Sequence, residues 1–415
     1  MAAEARAEQL RKSLNRSDMM TTIRGAARPL QILMVHNRYR IRGGEDVSTD
    51  AEIALLREYG HNVHVITKDN RDLEKRNAVG LAANSVWSRR SRREVWDILR
   101  GGGFDVMHVQ NFLPQFSPSI YYAAREAGVP VIQTLRNYRL LCPTGTFHRD
   151  GRTCEACLGR SVAWPGIRYS CYRDSRMATA AVAGMTAVHH IMRTWTQCVT
   201  QYIALTRFAR DKMVEGGFPA EKIAVKPNFV FPDPGYESEK EDFALYVGRL
   251  SPEKGIATLL RAWQQTQFPL KIVGEGPLRQ SVEAAAEQLP HVEYLGRKTL
   301  SETYALLGKA CLLVFPSEGF ETFGRVMAEA FSRGTPVVAS QLGAAGELVD
   351  SLKTGLHFTP GDADDLAEKV KWMVSRPVER AQMGREARLV FENRYSSSQN
   401  HAQLVEIYLR AIEQA

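Results

Sequence analysis

A chain of 415 residues is too long for one ordinary core, so two domains are expected. Its 44% hydrophobic and 24% charged residues exclude a disordered or collagen-like chain, and no apolar run approaches the roughly 20 residues that cross a bilayer. The net charge of +8 divides unequally: residues 1–230 carry 34 Lys and Arg against 21 Asp and Glu, residues 231–415 only 20 against 25. A basic first half suits phosphates or an anionic membrane surface, and no nucleic-acid reading module accompanies it. Residues 1–28 lack the apolar centre of a secretory signal and read as a mobile arm. Six cysteines in so long a chain are no disulfide scaffold, and a cytoplasmic protein is expected.

From Leu30 short apolar runs alternate with helical stretches: Leu30 to His36, His61 to Thr67, Phe104 to Gln110, Val129 to Leu135, Tyr202 to Thr206 and Lys222 to Asn228. An amphipathic helix, Glu45 to Tyr59, follows the first run and stops at Gly60. Runs buried on both faces and separated by helices predict a parallel, doubly wound α/β sheet. The Pro-, Gly- and acid-rich stretch Phe229 to Asp242 reads as a linker. The alternation then restarts at Phe243 to Arg249 and continues through Leu270 to Gly276, Cys311 to Ser317 and Thr335 to Ser340. The expectation is two Rossmann-like domains, residues 29–230 and 236–397, facing each other across a deep cleft, with a terminal helix over residues 398–415.

The segment Pro316 to Ser340 runs strand, polar glycine-containing loop, helix, strand, and holds Glu321 and Glu329 seven residues apart. The amides of Thr322, Phe323 and Gly324 would stand free at the helix start, where the dipole favours a diphosphate, with Glu329 two turns in to accept from ribose hydroxyls. Glu321 could accept from sugar hydroxyls. At the end of the first strand of the second half, Gly248 to Gly255 offers Arg249 and Lys254 as a fork and a point charge for a leaving diphosphate. Gly274 and Glu275 form a further close-approach turn, and Gly43 and Gly44 let backbone near a phosphate or sugar after the first strand. His108, at a strand end, is a second polar candidate beside the structural reading.

These motifs resemble glycosyltransferase family 4, from about Leu30 to the end of the chain. The resemblance implies a type B fold of two Rossmann-like domains and a retaining hexosyltransferase. A nucleoside-diphosphate sugar, UDP- or GDP-linked, would be donor and a glycan or polyprenyl-linked glycan acceptor, without a catalytic metal. It assigns Arg249 and Lys254 to the donor diphosphate, Glu321 to the sugar, Glu329 to the ribose and Gly44 to the donor site from the first domain. It also implies that the last helix crosses back onto that domain. Where such enzymes often carry a histidine, this chain has Arg136, a permanent cation that can donate to an anion or hydroxyl but cannot act as a base. An epimerase on the same fold and a non-catalytic scaffold are the competing readings.

Three further features need a reading. Cys142, Cys154, Cys157 and Cys171 fall within 30 residues, and their C-x2-C centre is expected to form a structural zinc site, with plain reduced thiols and a redox or iron–sulfur role as the alternatives. Trp87 to Trp96 interleaves four arginines with two tryptophans, which suits peripheral contact with an anionic membrane or, equally, a solvated helix over core tryptophans. Asp362 and Asp364 imitate a metal motif but precede a helical stretch, where acids act as caps.

Overall fold

The structure, a computed structural model, describes residues 28–75 and 78–415. The expected arm over residues 1–28 lies almost wholly outside them. The first sheet contains β1 (Gln31–Arg38), β2 (Asn62–Asp69), β3 (Val106–Asn111) and β4 (Val131–Thr134). After β4 the chain leaves the sheet for a small hairpin, β5 (His148–Arg149) and β6 (Arg152–Thr153), and returns as β7 (Gln201–Ala204) and β8 (Ile223–Val225). The spatial order is β2-β1-β3-β4-β7-β8, and every pair is parallel. All six residues of β3 are buried, including the polar His108, Gln110 and Asn111, as in a strand covered on both faces.

The second sheet contains β9 (Glu241–Val247), β10 (Leu270–Val273), β11 (Val292–Gly296), β12 (Ala310–Phe315), β13 (Val337–Ser340) and β14 (Gly355–Phe358). It is also parallel throughout, in the order β11-β10-β9-β12-β13-β14. This is the 3-2-1-4-5-6 order of a dinucleotide-binding sheet, whereas the first sheet lacks the third strand outside β2. The order in which successive strands are added reverses between β1 and β3 in one sheet and between β9 and β12 in the other, the positions where a ligand crevice opens in such sheets.

The helix Ser397–Glu413 packs on the first sheet, not the second: Leu404, Ile407, Tyr408 and Ala411 share one core with Ile32, Met34, Val106, Ile132 and Ile203. Each large side chain so buried contributes about 1.5–3 kcal/mol, so this helix fastens the end of the chain to its beginning. Asp362 caps the helix Ala363–Val374, its carboxylate accepting from the amides of Asp364 and Asp365 at 3.0 Å each. That accounts for the acid pair without a metal.

Candidate active site at the facing strand ends

Lys254 and Glu321 come together because two loops of the second domain touch. Gly255 sits at φ +70°, and a Cβ there would lie 1.8 Å from the Pro316 carbonyl oxygen, so only glycine allows the approach. The amides of Glu318 and Gly319 then donate to the Glu253 carbonyl at 2.9 Å. With the loops joined, the Lys254 ammonium bonds a Glu321 carboxylate oxygen that also accepts from Ser317 Oγ at 3.1 Å. Two residues expected to hold different parts of a donor are thus each other's counter-ions. Arg249 stands exposed in the loop after β9, its carbonyl accepting from Tyr246 Oη at 2.9 Å and from the Ser251 amide at 3.0 Å.

Gly274 and Gly276 serve packing: a Cβ on either would fall 1.8 Å and 2.3 Å from the Gly248 and Leu250 carbonyl oxygens, so the β10 loop can lie on the β9 loop. Glu275 is directed outward, toward Arg279 at 3.4 Å.

The helix Arg325–Ser332 begins at Gly324, whose φ of +78° turns the chain into the helix. The amides of Thr322, Phe323 and Gly324 have no acceptor among the described residues. Phe323 itself is buried against Tyr395, so it brings an amide and not a ring to the cleft. Glu329 is buried one turn beyond Arg325, whose Nε lies 2.8 Å from the carboxylate. The contact is one of charge alone, because all three guanidinium nitrogens of Arg325 are buried without an aligned acceptor. Tyr304 Oη, buried nearby, also lacks a partner. Sequence reasoning missed Arg325; its four-residue spacing from Glu329 was the available signal.

The first domain closes on this loop. Thr322 Oγ1 donates to the Arg136 carbonyl at 2.9 Å, Tyr138 Oη to the Glu321 carbonyl at 3.1 Å, and Thr206 Oγ1 to the Thr322 carbonyl at 3.1 Å. Gly43 and Gly44 are exposed at the start of the helix Gly44–Glu58; the Gly43 amide is already taken by Asp46 at 3.1 Å, and nothing lies within 4 Å of a Cβ built on Gly44.

Two expectations are corrected here. The Arg136 guanidinium does not enter the cleft: it is buried and spends its donors on Gln110 Oε1, at 2.9 and 2.7 Å, and on Asn228 Oδ1. His108 is fully buried between Tyr408 Oη and Thr134 Oγ1, 2.7 Å from each, and burial drives its pKa down to about 4. It is a neutral core histidine.

The cysteines differ from the metal reading. Cys142, Cys154, Cys157 and Cys171 are free thiols. Burial first, then the neighbouring thiols, push Cys157 up to about 11, so the four do gather. Among the described residues, however, no group of three or more His, Cys, Asp or Glu is arranged to hold a metal, which leaves the reduced-thiol reading. In the helix Arg89–Gly102, Arg89, Arg90 and Arg93 face solvent while Trp96 packs on the core, a solvated face over an inward ring.

The arrangement is a cleft of cations, free helix-start amides and carboxylates between two nucleotide-fold sheets. Comparison with known proteins agrees with it. The profile for glycosyl transferases group 1 matches residues 232–390, and that for a glycosyl transferase 4-like domain matches residues 43–228. An uncharacterized glycosyltransferase of Methanocaldococcus jannaschii is 32% identical over 36% of this chain and 43% of its own length. The D-rhamnosyltransferase WbpZ of Pseudomonas aeruginosa is 34% identical over 35% of this chain and 39% of its own. The chain therefore spans under half the length of these curated relatives. HepE of Anabaena, solved in complex with UDP, superposes with a TM-score of 0.63 at 18% identity over 91% of this chain and 99% of that one, a likeness of fold. With adjoining profiles over both domains and this two-sheet architecture, the chain belongs to the group 1, family 4-like glycosyltransferases.

Proposed function

We propose that the protein transfers a hexose from a nucleoside-diphosphate sugar, UDP- or GDP-linked, to a hydroxyl of a glycan or lipid-linked glycan in surface polysaccharide assembly. The observation that carries this reading is the meeting of the Arg249 to Lys254 loop with the Glu321 to Glu329 segment at the reversal point of the second sheet. There Arg249, Lys254 and the amides of Thr322 to Gly324 put positive potential where a diphosphate leaves. Glu329, with Arg325 beside it, faces the ribose, and Glu321 faces the sugar. Donor entry then exchanges the Lys254–Glu321 pair for Lys254–phosphate and Glu321–hydroxyl contacts. The UDP named with HepE and the sugar transfer named for WbpZ support the same donor class.

What the cleft holds supports retention at the anomeric carbon. With the donor bound, Glu321 is taken up by the sugar hydroxyls beside Ser317, and Arg136 and His108 are withdrawn into the core. Among the residues assigned to the site none is a base or nucleophile beneath the sugar, which favours attack by the acceptor on the face the phosphate leaves. The departing phosphate oxygen takes the acceptor's proton, giving the glycoside and nucleoside diphosphate with retention. Purified protein with UDP- and GDP-hexoses should release nucleoside diphosphate only when an acceptor is added, and proton NMR of the first product should show the donor's configuration. Conversion of the donor to an isomer without acceptor points to an epimerase; an inverted product overturns the mechanism.

Among the described residues no helix is long and apolar enough to cross a membrane. A lipid-linked acceptor would then be met at the surface, by peripheral contact at the inner face of the cell membrane.

A further inference from the structure

The helix Arg176–Ile191 shows solvent the wrong face for an ordinary surface helix. Its outward arc consists of Met177, Ala180, Ala181, Gly184, Val188 and Ile191, at the three- and four-residue spacing of one helical stripe. Met177 is 72% exposed and Ile191 78%, and Met192 continues the stripe at the end of the helix. The short helix Trp164–Arg168 packs beside it through Ala163, Ile167 and Ala183, and adds Trp164 at 65% exposure and the exposed Tyr169. Six of the fifteen exposed large apolar side chains of the described residues therefore fall between Trp164 and Met192, a concentration that scattered surface residues do not show.

The charge around this patch has one sign. From Cys157 to Arg193 the sequence holds Arg160, Arg168, Arg173, Arg176 and Arg193 against the single acid Asp174. The first turn of the helix carries no acid, although its dipole favours one there, and begins with Arg176. An apolar stripe along a helix of 16 residues, about 24 Å long, with arginines at both ends suits a helix lying in a lipid headgroup layer. A second copy of the chain would set arginines against arginines, which disfavours self-pairing.

We propose that this face, and not the Arg/Trp helix Arg89–Gly102, docks the protein on an anionic lipid surface. The loop that carries the patch also reaches the cleft: the Phe320 amide donates to the Thr146 carbonyl at 3.0 Å, and Phe147 packs on the Phe320 ring next to Glu321. Docking thus holds the cleft mouth close to the headgroups. Lipid binding itself does not depend on sugar transfer; only its use in presenting an acceptor rests on the function proposed above.

The test is flotation of the full chain with vesicles of phosphatidylcholine alone or with about one third phosphatidylglycerol. Wild-type protein should float with the anionic vesicles and lose binding at high salt. Met177→Ser with Ile191→Ser, and separately Arg173→Gln with Arg176→Gln and Arg193→Gln, should each weaken binding at least about tenfold with unchanged thermal melting, the positions being exposed. Arg89→Gln with Arg90→Gln and Arg93→Gln should float like the wild type. Absence of wild-type flotation, equal flotation of the patch variants, or loss only in the Arg89 set overturns the proposal. So does a wild-type dimer in sedimentation velocity that Met177→Ser with Ile191→Ser dissociates. Wild-type flotation with no acceptor-dependent release of nucleoside diphosphate would leave the docking surface standing and remove the transferase reading.

Discussion

Lys254 and Glu329 sit differently in the cleft, and their substitutions should read differently. Lys254 is partly exposed and paired with Glu321 across the junction of two loops, so Lys254→Ala frees a carboxylate that water can reach. Melting should change little, while donor affinity should fall by roughly 1.5–3 kcal/mol, the worth of a charge-assisted hydrogen bond. Glu329→Gln removes the carboxylate that stands 2.8 Å from the orphaned Arg325 guanidinium. Nucleoside-diphosphate affinity should fall by a similar amount, with some loss of stability because Arg325 stays buried. Calorimetric titration with UDP and GDP alongside thermal melting checks both; unchanged affinity in the two variants removes the donor assignment. Residue types at fixed spacing made Arg249, Lys254, Glu321 and Glu329 visible from sequence, since each follows a strand whose apolar run is unmistakable. Arg136 and His108 were misread for the converse reason. Asn228 and Tyr408, which hold them inward, lie 92 and 300 residues away, and no local pattern announces such partners.

At the scale of elements, glycines separate packing from binding. Gly255→Ala places a Cβ 1.8 Å from the Pro316 carbonyl oxygen in a left-handed conformation, so the β9 and β12 loops must part. Left-handed backbone alone costs about 1–2 kcal/mol for a non-glycine residue, and a fall in melting temperature together with loss of donor binding is expected. Gly44→Ala meets empty space at the start of a helix that favours alanine, and should hold or raise stability. If Gly44 lines the donor site as the family resemblance implies, the same change lowers turnover at unaltered melting temperature; equal turnover would confine Gly44 to a helix start. The elements themselves were legible wherever strands are fully buried, as in β3 and β12. The strands β11 and β14 were not anticipated: β11 is a mostly half-exposed edge strand and β14 spans only Gly355–Phe358, too short for a periodic signal. Composition also pointed to a different face from the one proposed above. Arginines between tryptophans drew the eye to Arg89–Gly102, whereas the exposed apolar stripe of Arg176–Ile191 became visible only when burial showed which side of that helix the protein covers.

The whole molecule is tied by a buried polar network that joins the first domain to the last helix. Glu52 accepts from Lys226 at 3.0 Å and from Gln110, Lys226 also bonds Asn400 Oδ1 at 2.9 Å, and Asn400 returns a bond to the Pro227 carbonyl at 2.6 Å. Burial opposes ionisation of Glu52, but Lys226, His108 and Arg136 overcome it and hold the carboxyl at about 2. Removing one member strands its partner: Lys226→Met should destabilise by about 3–5 kcal/mol, and the double variant with Glu52→Gln by less than the sum of the two single changes. The same interior sets the acid response. Burial lowers both His108 and His401 from 6.5 to about 4. Between those values the unfolded chain binds protons that the folded chain refuses, so the stabilisation is complete above pH 6.5 and is lost as pH falls toward 4. Each histidine accounts for roughly 3 kcal/mol over that interval. Glu52, depressed from 4.5 to about 2, contributes in full above pH 4.5 and loses its share below that as pH falls through its folded value. Denaturant unfolding of the wild type should therefore weaken first between pH 6.5 and 4, before Glu52 titrates. His401→Gln should flatten that segment of the curve, because a neutral amide has no proton to gain. A wild-type profile level down to pH 4, or an unchanged slope in His401→Gln, would show that burial does not hold these histidines neutral in the folded chain.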